Sequence, residues 1–330
     1  MAGYLLWKDR KRIEKLLKYI CYRLLTLVPI LLGVSFLVFS LFWIVPGDVV
    51  DIMMGDQSFG DSKAREEIRK NWNLDKPFYV QYVMWLWKAT RGDLGVSFVS
   101  GNKVTEEILS RVPVNIQMIS VAMFFVILIG IPLGILSAYR QFSLFDHIVR
   151  FLTTLGYSVP NFWAATIVVL FASLYFKWLP VLEYVPFSKN PLANIKCMII
   201  PGLVLALSTM ALIARMSRST ALDTLRQDYV RTARAKGASE KVVLFIHVLK
   251  NSLIPVVTIL GFQIGVMIGG FVLTEQVFVL PGLGTMLLNA IHQRDLVTVT
   301  GGILFLAVVF VLANLIVDII YSFLDPRIRY

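Results

Sequence analysis

Charge is scarce in this sequence: Asp, Glu, Lys and Arg make up 16% of its 330 residues, against the roughly 25% usual in soluble globular chains. Cysteine is scarcer still: Cys21 falls at the inner end of the first apolar block and Cys197 at the outer end of the fourth, so no structural disulfide is expected. The three histidines, His147, His247 and His292, lie on separate connecting segments and cannot form a zinc-type ligand cluster. No G-x-x-x-x-G-K-[ST] phosphate loop occurs, so the chain cannot cradle ATP in that way. Internal repeats and low-complexity tracts are missing as well. The scattered histidines argue against a membrane enzyme.

What is present in quantity is apolar sequence, 57% of the chain, and it arrives in long blocks. Crossing a hydrocarbon core takes about 20 mostly apolar residues. Six blocks qualify: Leu24–Val45, Val114–Tyr139, Phe151–Phe176, Met198–Ala214, Leu253–Leu273 and Gly301–Phe323. Lipid offers no partner for backbone N–H and C=O groups, so each block is expected to be a helix. The first is too long for a cleavable signal segment, and no small-residue cleavage site follows it. The expected fold class is therefore an all-α membrane protein with six transmembrane helices.

The net charge of +11 is unevenly placed. With the N-terminus assigned to the cytoplasm, the inner segments carry 19 Lys/Arg against 7 Asp/Glu, and the outer ones 13 against 13. All of the positive excess lies on one side, as the positive-inside rule requires. That distribution argues for anionic lipid and against nucleic acid as the partner of the basic residues.

Residues 1–23 read as a cytoplasmic amphipathic lead-in, with Leu5, Leu6, Trp7, Ile13, Leu16 and Leu17 interleaved among Lys8, Arg10, Lys11, Arg12, Lys15 and Lys18. Residues 24–46 hold the first span. Residues 47–113 form an extracytoplasmic insertion, with short helices expected around Ser62–Trp72 and Phe78–Thr90. Its aromatic residues Phe78, Tyr79, Tyr82, Trp85 and Trp87 suit a membrane interface. Residues 114–323 are the five-helix core, and 324–330 a cytoplasmic tail. Within the core, the inner loop 215–251 contains two helical stretches meeting at Lys236-Gly237-Ala238-Ser239, where Gly237 can end one helix and Ser239 can cap the next. A basic helix-break-helix of this kind has the shape and charge of a docking surface.

Polar residues within the blocks are Asn115, Gln117, Asn161, Gln263 and Asn314. They face neighbouring helices or a water-filled path. Asn161 and Gln263 are the candidates for lining such a path, with interhelical hydrogen bonding the alternative for each. Asp318 is the one ionisable residue within a block, so the carboxylate relays of proton-coupled transport are missing. The chain thus offers a bundle and a docking loop but no energy source.

The run Asp228-Tyr-Val-Arg-Thr-Ala-Arg-Ala-Lys-Gly-Ala-Ser-Glu240, followed by His247-Val-Leu-Lys-Asn-Ser-Leu-Ile-Pro255, resembles the coupling loop of the dipeptide, oligopeptide and nickel family of ABC-importer permeases. Arg231-Thr232-Ala233 and Gly237 match the Glu-Ala-Ala…Gly signature, without its leading Glu. Pro46-Gly47-Asp48, Asn73–Tyr82, Gly92–Ser97, Val277-Phe-Val-Leu-Pro-Gly-Leu-Gly284 and Asn314–Arg329 extend the resemblance over most of the chain. Trp72-Asn73, Val49-Val50 and Leu182-Glu183 depart from the usual pattern on outer segments.

The resemblance implies a type I permease core formed by the second to sixth helices, in the first of two sister permeases. Its partners would be a sister permease, two cytoplasmic ABC ATPases and an extracytoplasmic substrate-binding protein, in a prokaryotic inner membrane. The chain would be no enzyme and hold no cofactor, ATP and Mg being bound by the ATPases. Residues Arg231, Thr232, Ala233, Arg234, Ala235, Lys236, Gly237, Ala238, Ser239 and Glu240 would seat on an ATPase. Phe278, Pro281, Gly282 and Gly284 would contact the binding protein or gate the path. Peptides lead as cargo; nickel or oligosaccharides remain open within the same architecture, and ion-coupled transport is the less favoured alternative.

Overall fold

The computed structural model describes residues 23–41, 43–44, 50, 66, 69, 75–177 and 184–324. The expected lead-in, Pro46-Gly47-Asp48, the Ser62–Trp72 helix apart from Glu66 and Arg69, Leu182-Glu183 and the tail after 324 lie outside the described residues. The described elements are helices: α1 (Arg23–Leu41), α2 (Phe78–Thr90), α3 (Val104–Tyr139), α4 (Leu144–Ser158), α5 (Asn161–Phe176) and α6 (Pro191–Leu225). They continue with α7 (Asp228–Ala235), α8 (Glu240–Phe278), α9 (Leu283–His292) and α10 (Leu296–Leu324). The one β-type contact among the described residues is an isolated bridge, Val96 to Lys103.

Five of these helices are long and apolar enough to cross a membrane, and a sixth crossing results if α4 and α5 are counted as one bent span. That bend, 102°, corrects the single straight helix expected over Phe151–Phe176. Pro160 is the cause: its ring pushes Val159 into an extended conformation (φ −81°, ψ 122°), which ends α4, and α5 starts afresh at Asn161. The fourth block also grows, from Met198–Ala214 to the 35 residues of α6. Pro191 occupies its first turn, and the Asn190 side chain caps it by accepting from the Ala193 N–H at 3.1 Å.

The chain divides into two compact units, Met1–Leu17 with Val114–Gly284 and Leu312–Tyr330, and Lys18–Pro113 with Thr285–Val311. In the second unit α2 packs on α1 through rings: Phe78 and Tyr82 meet Phe36 edge-on, and Trp85 lies 5.3 Å from Phe39. Phe78, Tyr82 and Trp85 are thus used inside the unit. Tyr79 and Trp87 stay exposed, with the Arg91 guanidinium 4.4 Å from the Trp87 ring. Asp295, buried ahead of α10, accepts from the Ser97 hydroxyl and from the Thr298 N–H at 3.2 Å, which caps that helix.

In the first unit α6 is the central helix, packed by α3, α4, α5 and α8. Close approach of α3 depends on Gly130 and Gly134, a small-x-x-x-small pair of the kind that lets membrane helices touch backbone to backbone. A methyl group on Gly130 would sit 3.0 Å from the Met210 carbonyl, and one on Gly134 would overlap the Ala214 carbonyl outright. Gly269, by contrast, has open space where a methyl would go. Gly134→Ala should therefore lower the unfolding midpoint in detergent, costing about 1–3 kcal/mol as overpacking does. Gly269→Ala should leave it unchanged or raise it, because alanine favours helix by about 1 kcal/mol. Equal midpoints for the two variants would contradict this packing.

Candidate functional site

Two short stretches of sequence build a rigid, charged protrusion at one end of the first unit. Helix α7 ends in a Schellman turn: the Gly237 N–H bonds the Arg234 carbonyl at 2.9 Å, and the Ala238 N–H bonds the Ala233 carbonyl at 3.1 Å. That turn needs a left-handed residue, and Gly237 supplies it with φ +82°. Ser239 takes the extended backbone of an N-cap, as expected, but its hydroxyl makes no capping bond. The break is closed instead by an ion pair. Arg234 grips Glu240 with two parallel bonds, Nε to Oε1 at 2.9 Å and a terminal nitrogen to Oε2 at 3.1 Å.

Val230 anchors α7 to the bundle, and the Tyr229 hydroxyl accepts from the Asn251 amide of α8 at 3.0 Å. Val230 is fully buried in an apolar cluster with Ile135 and Ala138 of α3, Ala221 of α6, and Val243 and Val248 of α8. Arg231, Thr232, Arg234, Ala235 and Lys236 are all exposed, while Ala233 and Ala238 are half-buried. The sequence-predicted loop residues thus lie together in one helix-break-helix, with its basic side chains exposed. Their own acids answer only part of that charge: Asp228 lies 3.8 Å from Arg231, and both are largely exposed.

One turn away is a lock that hydropathy does not reveal. Asp146 is completely buried, and Arg218 holds it with two bonds, Nε to Oδ1 at 2.7 Å and a terminal nitrogen to Oδ2 at 2.8 Å. The Ser137 hydroxyl and the Phe142 N–H also donate to the carboxylate. Residues of α3, α4 and α6 meet at this one group, beside Ala138 and Ala221 of the apolar cluster. The pair was missed because Arg218 falls just beyond the apolar block and 72 residues from Asp146.

The two path candidates converge on α6. Asn161 accepts from the Ser208 hydroxyl at 2.8 Å, and the Gln263 amide reaches the Thr209 hydroxyl at 3.5 Å. Asn161 is half-buried and Gln263 buried. Gln117 accepts from Asn194 at 2.9 Å and lies 3.5 Å from the hydroxyl of Tyr184, whose phenol burial pushes above its ordinary range. At the other end of α8, Phe278, Gly282 and Gly284 are buried, whereas Pro281 is exposed. The hydropathy blocks end before Glu275, but α8 runs on to Phe278, so a fully buried carboxylate lies in that helix; Asp318 is not the one ionisable residue within the spans. The Asp318 side chain lies outside the described residues. Among the described residues no three His, Cys, Asp or Glu side chains gather as metal ligands.

Membrane-length helices, a clamped basic helix pair at one end and polar side chains spent on helix contacts define a polytopic transport subunit. The chain belongs to the family described as binding-protein-dependent transport system inner membrane component, which matches residues 130–330. The N-terminal region of such membrane components matches residues 16–119. Among curated relatives, the dipeptide transport system permease protein DppB of Alkalihalophilus pseudofirmus is 38% identical over 336 residues, covering 96% of this chain and all of the relative. DppB of Escherichia coli K12 is 36% identical over 338 residues, covering 96% and 99%. A Brucella abortus protein provisionally named as a peptide transport system permease is 42% identical over 303 residues, covering 92% and 96%. The chain is accordingly a multi-pass permease subunit of an ABC importer and not itself an enzyme.

Two measurements test the geometry. Asp146→Ala strands Arg218 in a largely enclosed site and should cost about 3–5 kcal/mol, as broken buried pairs do. Thermal unfolding in detergent would register it, and adding Arg218→Leu should recover part of the loss. An undiminished midpoint for Asp146→Ala would show the pair to be dispensable. At the protrusion, Arg234→Glu sets two acids face to face, whereas Arg234→Glu with Glu240→Arg rebuilds the clamp with its charges exchanged. If Arg234 acts only within the clamp, the exchanged pair should transport at the wild-type rate. If it also meets an acidic partner, transport stays low although the protein is equally stable.

Proposed function

We propose that this chain is the first of two sister permeases in an ATP-driven, binding-protein-dependent importer of dipeptides and oligopeptides. The observation that carries the coupling role is the α7–α8 break. It is a basic surface stiffened by the Arg234–Glu240 clamp and rooted through Val230 in the ends of three long helices. A push on α7 is carried to α3, α6 and α8 together, because packed interiors move as bodies. Peptide cargo is supported by the names of the relatives, which cover nearly the whole chain.

In this reading α4 and α5 together make the third of six spans, and both termini are cytoplasmic in a prokaryotic plasma membrane. Residues 47–113 form the extracytoplasmic insertion, and residues 114–323 the core. Two cytoplasmic ATPases bind ATP and Mg and seat the 231–240 surface. The binding protein delivers cargo at the outer face near Val277–Gly284. Asn161 of α5 and Gln263 of α8, which bond neighbouring residues of α6, line the path. ATP-driven closure of the ATPases exchanges inward- and outward-facing states through differential contacts in each.

Mild-detergent isolation of this chain from its native membrane, followed by mass spectrometry, should recover a second permease and two ATPase subunits. The co-encoded binding protein should then bind short peptides. Recovery of the chain without ATPases, still moving solute along an ion gradient, would overturn the coupling role. A binding protein selective for nickel or an oligosaccharide would overturn the cargo alone. Shortening Val277–Gly284 should abolish uptake, and wild-type uptake would remove that loop from the mechanism.

A further inference from the structure

Glu275 lies in the last turn of α8 with no exposed surface. Its Oε1 accepts from the Asn115 amide at 2.6 Å, and the Asn115 carbonyl oxygen accepts from the Leu283 N–H at 3.0 Å. Leu283 opens α9, so one side-chain amide joins α3, α8 and the first turn of α9. Between the helices the chain doubles back. The Leu280 N–H bonds the Glu275 carbonyl at 2.9 Å, and the Gly282 N–H bonds the Leu280 carbonyl at 2.9 Å. Val279 completes the reversal in a left-handed conformation, φ 53°.

The carboxylate itself lies directly against Gly282, where a methyl group would overlap both of its oxygens. A buried carboxylate is costly unless it is answered, and the Asn115 amide supplies part of that answer. A leucine would fill the volume without the cost, and an enclosed carboxylate cannot touch cargo, so its action passes through the loop it holds.

We propose that Glu275 and Asn115 are positioning residues for transport: they fasten the Val277–Gly284 loop to α3 and so set the conformation of the outer gate. The functional half of this proposal rests on that loop acting at the outer face, as argued above. The positioning half rests on the geometry alone. Fastening acts on a turn whose Val279 and Pro281 are exposed.

The test uses the assembled importer. Hydrogen exchange read by mass spectrometry would follow peptides covering 276–284 and 228–240, with uptake per ATP hydrolysed measured on the same preparations. Glu275→Leu and Asn115→Leu should each speed exchange of the 276–284 amides by about tenfold, as loss of a charge-assisted hydrogen bond does. Uptake per ATP should fall by about the same factor while the 228–240 peptide is unaffected. Combining Asn115→Asp with Glu275→Gln trades donor and acceptor between the helices and should return both readouts to within about twofold of wild type. Asn115→Asp alone faces two carboxylates and should not recover.

If the leucine variants fail to assemble, Gly282→Ala takes their place. It should loosen the loop in the natural background and be tolerated with Glu275→Ala, which vacates the space. Unchanged exchange at 276–284 in the leucine variants, or no recovery in the exchanged pair, would overturn the positioning role. A loosened loop with undiminished uptake would leave that role standing and overturn the outer-gate reading instead.

Discussion

A carboxylate shut away from water has to be answered by the chain itself, and the answer given to Asp146 organises the α7 end of the molecule. Arg218 brings two parallel donors from α6, Ser137 brings a hydroxyl from α3, and Phe142 brings a backbone amide from the intervening turn. Because the arginine fork is planar, the two charges fix orientation as well as distance. The α3–α6 contact that begins at Gly130 and Gly134 therefore ends in a directional bond. The apolar cluster that seats Val230 is built on the neighbouring turns of the same two helices. Packing alone would leave these helix ends free to slide, and the ion pair removes that freedom.

The two ion pairs of this region do different work. Asp146–Arg218 is largely enclosed, so salt screens it less than a surface pair. Arg234–Glu240 is half exposed and is worth little as stabilisation, yet its bidentate geometry keeps the break between α7 and α8 at one angle. The enclosed pair ties α4 to α6, and the exposed clamp ties α7 to the start of α8.

The long apolar blocks were legible because lipid imposes a length and a composition on any helix that crosses it. The α7–α8 break was legible too, since Gly237 between helical stretches has one economical use. Pro160 carried the signal for the bend between α4 and α5, but the unbroken apolar composition around it outweighed a single residue. The Gly130-Ile-Pro-Leu-Gly134 spacing was equally readable and went unread. What no local pattern discloses is the pairing of polar groups across distance. Asp146 with Arg218, Glu275 with Asn115 and Asp295 with Ser97 join residues 72, 160 and 198 apart. Helix ends were underestimated for a related reason. Hydropathy marks where lipid stops, while the helices run on past that boundary into turns where charge is tolerated.

Between the α7–α8 break and the rest of α8, Val243–Leu249 form a π-helical stretch, and Val126–Gly130 form another in α3. A π turn accommodates an extra residue, so the helix before it is rotated by about 100° relative to an uninterrupted α-helix. Phase, then, is a property that α8 carries along its length. The side that shows Val243 and Val248 to the cluster and the side that shows Glu275 to Asn115 are aligned across that extra residue. Loss of one residue from Val243–Leu249 would leave the turn at Gly237 intact and still rotate one end of α8 relative to the other.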